Sequence, residues 1–259
     1  MPISTNRDMA RNFKVTLAYD GTEFKGWQVQ PQHATIQSTL ADAIERVTGE
    51  RVLPQGSGRT DAGVHAVGQV ASFQLESPIP PENLLTALNH TLPLSIRVMN
   101  VMDAAPDFHA RHSAKAKIYE YRIFRATLCS PFTGRYVHHH PYPLDEDAIC
   151  EAAKYVVGQH DFTSFAAVDP EKGREEAEPH QIRTILSSDW KRHGDLFIYR
   201  VRGDGFLHHM VRNLVGTFLL VGKGNLSAAS VESILAARDR SLAGPTAPAS
   251  GLFLVSVEY

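Results

Sequence analysis

The chain is poor in cysteine. Only Cys129 and Cys150 occur in 259 residues, without CxxC spacing, which argues against a disulfide framework or a cysteine-built zinc site. Both are expected to be buried, reduced thiols. No stretch approaches the roughly 18 apolar residues of a membrane-spanning helix, and the opening MPISTNRDMARN lacks the apolar run of a secretory signal. The expectation is a cytoplasmic protein with no membrane partner. Sequence repeats and low-complexity tracts are missing too, so long disordered stretches are not expected. Net charge is also nearly absent: 26 Lys and Arg against 28 Asp and Glu leave −2, which taken alone argues against a nucleic-acid partner.

What is present is an ordinary globular composition, 43% hydrophobic and 21% charged, on a chain long enough for two domains or one large α/β unit. The charge is segregated. Arg111, Lys115, Lys117, Arg122, Arg125 and Arg135 face only Glu120 over their span, and Lys191, Arg192, Arg200, Arg202 and Arg212 form a second basic stretch. Between them runs an acidic belt that includes Asp145, Glu146, Asp147, Glu151 and Glu175 to Glu178 and cancels them in the total. A basic groove on a neutral protein is compatible with these numbers.

Periodicity gives a coarse map. FKVTLAYD alternates as a strand; Thr35 then caps a helix whose Ile36, Leu40, Ile44 and Val47 recur at helical spacing. RVLPQGSG and GQVASFQL read as strands, PENLLTALNHTL as a helix opened by Pro81, and SIRVMNVM as a closing strand. This βαββαβ order is the ferredoxin-like pattern of many RNA-binding sheets. The second half echoes it. KIYEYRIFR is a strand with Tyr119, Tyr121 and Ile123 on one face; DEDAICEAAKYVVG is a helix with an acidic start. RTILSSDWKRHGDLFIYRVRGD is a hairpin turning at His193 and Gly194, and FLHHMVRNLVGTFLLVG is a long, mostly buried helix. The fold class expected is α+β, with two ferredoxin-like domains of mainly antiparallel sheet flanking an active-site cleft. The boundary falls between Asp103 and His109, giving domains 1–105 and 106–259. Ala167 to His180, charged and poor in apolar residues, reads as a surface loop.

Several constellations compete for chemistry. GSGRTDAGVHA, Gly56 to Ala66, lacks the Gly-Lys-Ser/Thr ending of a phosphate loop. It is either a turn in which Asp61 caps local amides or the seat of a nucleophilic carboxylate, with Gly56, Gly58 and Gly63 shaping the backbone and Arg59 adjacent. His138, His139 and His140 suggest a metal, but consecutive residues on an extended chain point to alternate sides, so a solvated loop is the better reading. His208 and His209 precede Arg212 on a helix, so His208 and Arg212 lie four apart on one face, a spacing more often of packing than of chemistry. Trp27 reads as core. Tyr119 and Tyr121 are core by default, although a basic strand with interleaved aromatics also suits stacking of a splayed-out base.

The stretches YDGTEFKGWQVQP, GSGRTDAGVHA, FHARHSAKAKIYEYRI, DFTSF and GFLHHMVRNLVG, in this order, resemble the TruA family of tRNA pseudouridine synthases over nearly the whole chain. The resemblance implies a cofactor-free, metal-free, homodimeric isomerase whose partner is tRNA, acting on uridines at positions 38, 39 and 40 of the anticodon stem-loop. It implies that Asp61 is the nucleophile, that Tyr119 stacks on the target base, that Arg212 pairs with the nucleophile and that Arg59 assists base extrusion. His65 and Lys117, in the same motifs, are the further substrate-binding candidates. Val168 to Gln181 departs from the family pattern in being longer and more acidic. A catalytically dead RNA-binding protein and a metal-dependent hydrolase built on the histidines are the rival readings.

Overall fold

A computed structural model describes residues 10–167 and 181–259. Most of the charged loop expected from Ala167 to His180 lies outside the described residues. The chain separates into two compact units, one running to Ala114 and including Tyr259, the other Lys115–Glu258.

The first unit runs β1 (Arg11–Tyr19), α1 (Ile36–Thr48), β2 (Gln55–Gly56), β3 (His65–Leu75), α2 (Pro81–Thr91) and β4 (Ile96–Ala104). β1 pairs antiparallel with both β3 and β4, and β2 pairs antiparallel with β3. That is the ferredoxin-like order. α1 starts where the sequence says it should: the Thr35 side chain accepts from the Ser38 amide, Ser38 caps in return, and Gly49 ends the helix at φ +78°. Ile36, Leu40, Ala43 and Ile44 are its buried stripe, while Phe13, Val15, Leu17 and Tyr19 are buried along β1. The expected RVLPQGSG strand shrinks to two residues. Pro54 precedes them and brings no backbone donor, which stops the ladder there. β3, in contrast, begins three residues before Gly68, and Val70, Ala71, Ser72 and Phe73 are all buried, so its alternation is lost.

The second unit contains β5 (Ala116–Phe124), α3 (Pro131–Gly134), β6 (His138–His139), α4 (Glu146–Lys154), β7 (Gly158–Asp161), β8 (Ile182–His193), β9 (Leu196–Gly203), α5 (Met210–Gly222), α6 (Ser230–Ala237) and β10 (Leu252–Glu258). Its sheet runs β10-β5-β9-β8-β7, antiparallel throughout, with β6 added parallel to β5. Leaving out the short additions, β5-α4-β8-β9-α5-β10 repeats the βαββαβ order of the first unit. Register decides the faces. Tyr119 lies opposite Val201 and Tyr121 opposite Tyr199, and Tyr199 pairs onward to Trp190. Their face carries the core, where Trp190 stacks on Tyr199 at 5.0 Å and Phe218 of α5 meets Tyr199 edge-on at 5.3 Å.

Four expectations need correction here. The hairpin turn is Gly194-Asp195, because His193 still pairs with Leu196, and Gly194 takes φ +57°. α5 begins at Met210: His209 sits at φ +59°, in the left-handed region, so neither it nor His208 belongs to the helix. His208 and Arg212 therefore do not share a helix face. Cys129 and Cys150 are each only half-buried. His138 to His140 are no solvated loop either. The alternation of an extended chain turns His138 and His140 inward and His139 outward, where His139 Nε2 lies 2.9 Å from the Ala126 carbonyl oxygen.

Candidate active site

In the first unit, Asp61 lies on the loop from β2 to β3. A strand follows, not a helix, so the loop has no helix N-terminus for a phosphate. The backbone is held on both sides of Asp61. Thr60 O accepts from the Trp27 amide at 3.0 Å, Asp61 O accepts from Val64 N at 3.1 Å, and the Gly63 amide donates to Phe24 O at 3.3 Å, with Gly63 at φ +78°. The turn leaves Asp61 half-exposed and Arg59 exposed. A carboxylate on a fixed backbone, reachable from solvent, is what nucleophilic or base chemistry requires.

His65, expected to meet substrate, lies buried beside the end of β1. Its side chain is 1% exposed and its Nδ1 accepts the Gly21 amide at 3.1 Å. The same Nδ1 is 3.3 Å from Asp20 Oδ1. A ring nitrogen that accepts from an amide carries no proton to offer the carboxylate, so the amide bond is the contact that holds. His65 therefore anchors the end of β1.

In the second unit, Tyr119 is 7% exposed, with the ring of Phe206 against it at 5.0 Å and 76°. Lys117, two residues before it on the same strand, shares its face and lies opposite Gly203. Arg212, in the first turn of α5, donates from Nε to Ala247 O at 2.8 Å, while the Ala247 amide returns a bond to Arg212 O at 3.1 Å. This reciprocal pair fixes the guanidinium's base. Tyr121 donates to Pro248 O at 2.8 Å. Burial raises its pKa, opposed in part by the Arg212 charge, so the phenol stays protonated.

The basic stretches are largely neutralised by neighbours that sequence alone did not pair with them. Glu120 bonds Arg122 and Arg200 at 3.3 and 3.2 Å; Glu258 holds Arg202 at 2.6 Å; Glu146 of the acidic belt takes Arg125 at 3.3 Å and Arg192 at 2.5 Å. Arg122 also lies 3.8 Å over the ring of Phe253. Arg200 pairs with Glu120 and Arg202 with Ile118 across β5. Arg122, Arg200 and Arg202 thus occupy the face opposite Tyr119. The interleaving of aromatics and arginines in the sequence is, in space, a separation onto two faces.

Sequence reasoning missed Tyr19, Thr60, Gln69 and Phe206. The first three are polar groups buried under the Asp61 loop. Their only local signal was a Gln within β3 and a Tyr closing β1.

This chain belongs to the tRNA pseudouridine synthase family, whose model matches residues 16–113 and 152–259. Those segments hold Arg59, Asp61, His65 and Arg212, while Lys117 and Tyr119 fall between them. The chain is similar to proteins named tRNA pseudouridine synthase A: it is 52% identical to that of Solibacter usitatus (strain Ellin6076), over 96% of this chain and 100% of the relative. Identity is 46% to that of Moorella thermoacetica (strain ATCC 39073 / JCM 9320), over 95% and 98%, and 45% to that of Lacticaseibacillus casei (strain BL23), over 96% and 99%. A chain of the crystal structure of a Cbf5-Nop10-Gar1 complex aligns over 83% of this chain and 55% of its own at 10% identity, with a TM-score of 0.33.

Proposed function

We propose that this protein is a tRNA pseudouridine synthase that isomerises uridine to pseudouridine at positions 38, 39 and 40 of the anticodon stem-loop, in the cytoplasm and as a homodimer. Family membership supports the reaction; the observation that supports the site is the Asp61 loop, braced through Thr60, Val64 and Gly63 with Asp61 half-exposed on it. The reaction breaks the C1′–N1 bond, turns the uracil and joins C5 to C1′; the C5 proton leaves and the freed N1 takes one up. No atom is gained or lost from the nucleotide, which is consistent with a site that needs no cofactor.

Asp61 serves as the nucleophile or base that opens the glycosidic bond, whether by attack at C1′, attack at C6 or removal of the C2′ proton. On the family resemblance, Arg212 is the arginine assigned to the nucleophile. Tyr119 retains the detached base by stacking, and Lys117, on the same strand face, meets phosphate or base. Arg59, exposed two residues before Asp61, assists extrusion of the nucleotide. Extrusion costs a few kcal/mol of pairing and stacking. Stacking on an aromatic ring returns about 1–3 kcal/mol per base, and phosphate contacts supply the remainder.

The test is tritium release from tRNA labelled at uracil C5. Wild-type protein releases tritium, and Asp61→Asn binds tRNA but releases none. A variant that keeps a tenth of wild-type turnover, a barrier change of only about 1.4 kcal/mol, overturns the assignment.

A further inference from the structure

A buried polar chain runs beneath the Asp61 loop. Gln69 of β3 has no exposed surface. Its Oε1 accepts from Ser57 Oγ at 2.7 Å and from the Val70 amide at 3.1 Å, and its Nε2 donates to Gly58 O at 2.9 Å. Tyr19, at the end of β1, lies with its hydroxyl 2.8 Å from Thr60 Oγ1, and both side chains are buried. Burial holds the phenol protonated, so it remains a neutral donor. One amide and one phenol therefore grip residues 57 to 60, the arm that leads directly into Asp61.

The opposite side of that arm is a wall. Gly26 takes φ +90°, and a Cβ there would fall 2.6 Å from Thr60 O, so the 24–27 segment touches the loop backbone itself. Thr60 is thus held through its carbonyl by the Trp27 amide and through its hydroxyl by Tyr19. With both groups fixed, the Thr60–Asp61 peptide has one orientation, and the Asp61 side chain leaves it in one direction. An apolar lining would fill the same space. A lining of hydrogen bonds adds direction, and burying it costs desolvation that only a fully satisfied network offsets.

On the reading that Asp61 is the nucleophile, we propose that Tyr19, Thr60 and Gln69 are positioning residues that aim its carboxylate. They touch no substrate and act through the loop backbone. A displacement of about 1 Å at a reacting group costs on the order of 100-fold in rate, so the effect belongs in kcat.

The experiment compares Tyr19→Phe, Thr60→Val, the double variant and Thr60→Ser, assayed by tritium release with full-length tRNA well below each variant's unfolding temperature. Tyr19→Phe and Thr60→Val each lower kcat by about 10- to 100-fold with KM for tRNA within about threefold. The double variant falls no further than the worse single, because both remove one contact. Thr60→Ser, which restores the hydroxyl, recovers most of the loss. Variants that unfold at lower temperature yet turn over within twofold of wild type reduce the network to structure and overturn the proposal, as does a loss confined to KM. Asp61→Asn separates the two claims. Turnover by that variant removes the nucleophile reading and the positioning role together, whereas an inactive Asp61→Asn beside an unimpaired Tyr19→Phe removes only the positioning role.

Discussion

Trp27 occupies the space that any side chain at Gly56 would need: a Cβ there would lie 2.5 Å from Cε2 of the indole, and Trp27 itself is 2% exposed. The contact ties the start of the Asp61 loop to the segment before α1. Gly56→Ala overpacks this site and costs about 1–3 kcal/mol of stability, while Trp27→Ala opens a cavity and costs about 3–5 kcal/mol. Urea unfolding measures both. A Gly56→Ala protein as stable as wild type would show that the indole gives way freely.

Tyr119 offers a ring and a hydroxyl that two substitutions separate. Tyr119→Phe keeps the ring and its edge contact with Phe206, so tRNA affinity stays near wild type while turnover falls by about two to four orders of magnitude, the scale of a lost general acid or base. Tyr119→Ala loses both affinity and turnover. Filter binding and tritium release read the two separately, and wild-type turnover by the Phe variant reduces Tyr119 to a platform.

Binding to tRNA weakens with salt along a log–log slope steeper than about −2, given roughly −0.7 to −0.9 for each phosphate neutralised. Which cations contribute follows from the sheet's faces. Lys117→Gln, on the Tyr119 face, makes the slope shallower by about one. Arg200→Gln, on the other face and paired with Glu120 at 3.2 Å, changes affinity less than about twofold. Equal effects of the two would contradict the separation of faces.

Acid lowers stability through His138. Burial is the main cause that pushes its pKa down to about 4, helped by the charges of His140, Lys223 and His139, and its Nδ1 has no hydrogen-bond partner among the described residues. The unfolded chain, with His near 6.5, binds the proton that the folded chain refuses. Stability is therefore full above about pH 6.5 and falls as pH drops toward 4, by at most about 1.4 kcal/mol per pH unit from this group. His138→Phe flattens the dependence in that window, read from unfolding midpoints at pH 7 and pH 5. An unchanged slope assigns the acid sensitivity to other groups.

The sequence alone determined most of the elements and pointed to one candidate site. Thr35 marked the start of α1, the apolar spacing marked its buried stripe, and the strand–helix order marked two βαββαβ units. These signals are local, between residues a few positions apart. GRTDAGVHA likewise singled out Asp61 and Arg59 as candidates, because a loop motif of this kind is written in consecutive residues. Tertiary structure alone decided which charges cancel, which face a side chain takes and what lies under the loop. Glu120 meets Arg200 from 80 positions away, and Tyr19 meets Thr60 from 41. Such partners are set by which strands lie side by side and in what register, and a shift of one residue would exchange the faces of Tyr119 and Glu120. The start of α5 was decided in the same way, by the left-handed backbone of His209, which a helical pattern of neighbours does not reveal.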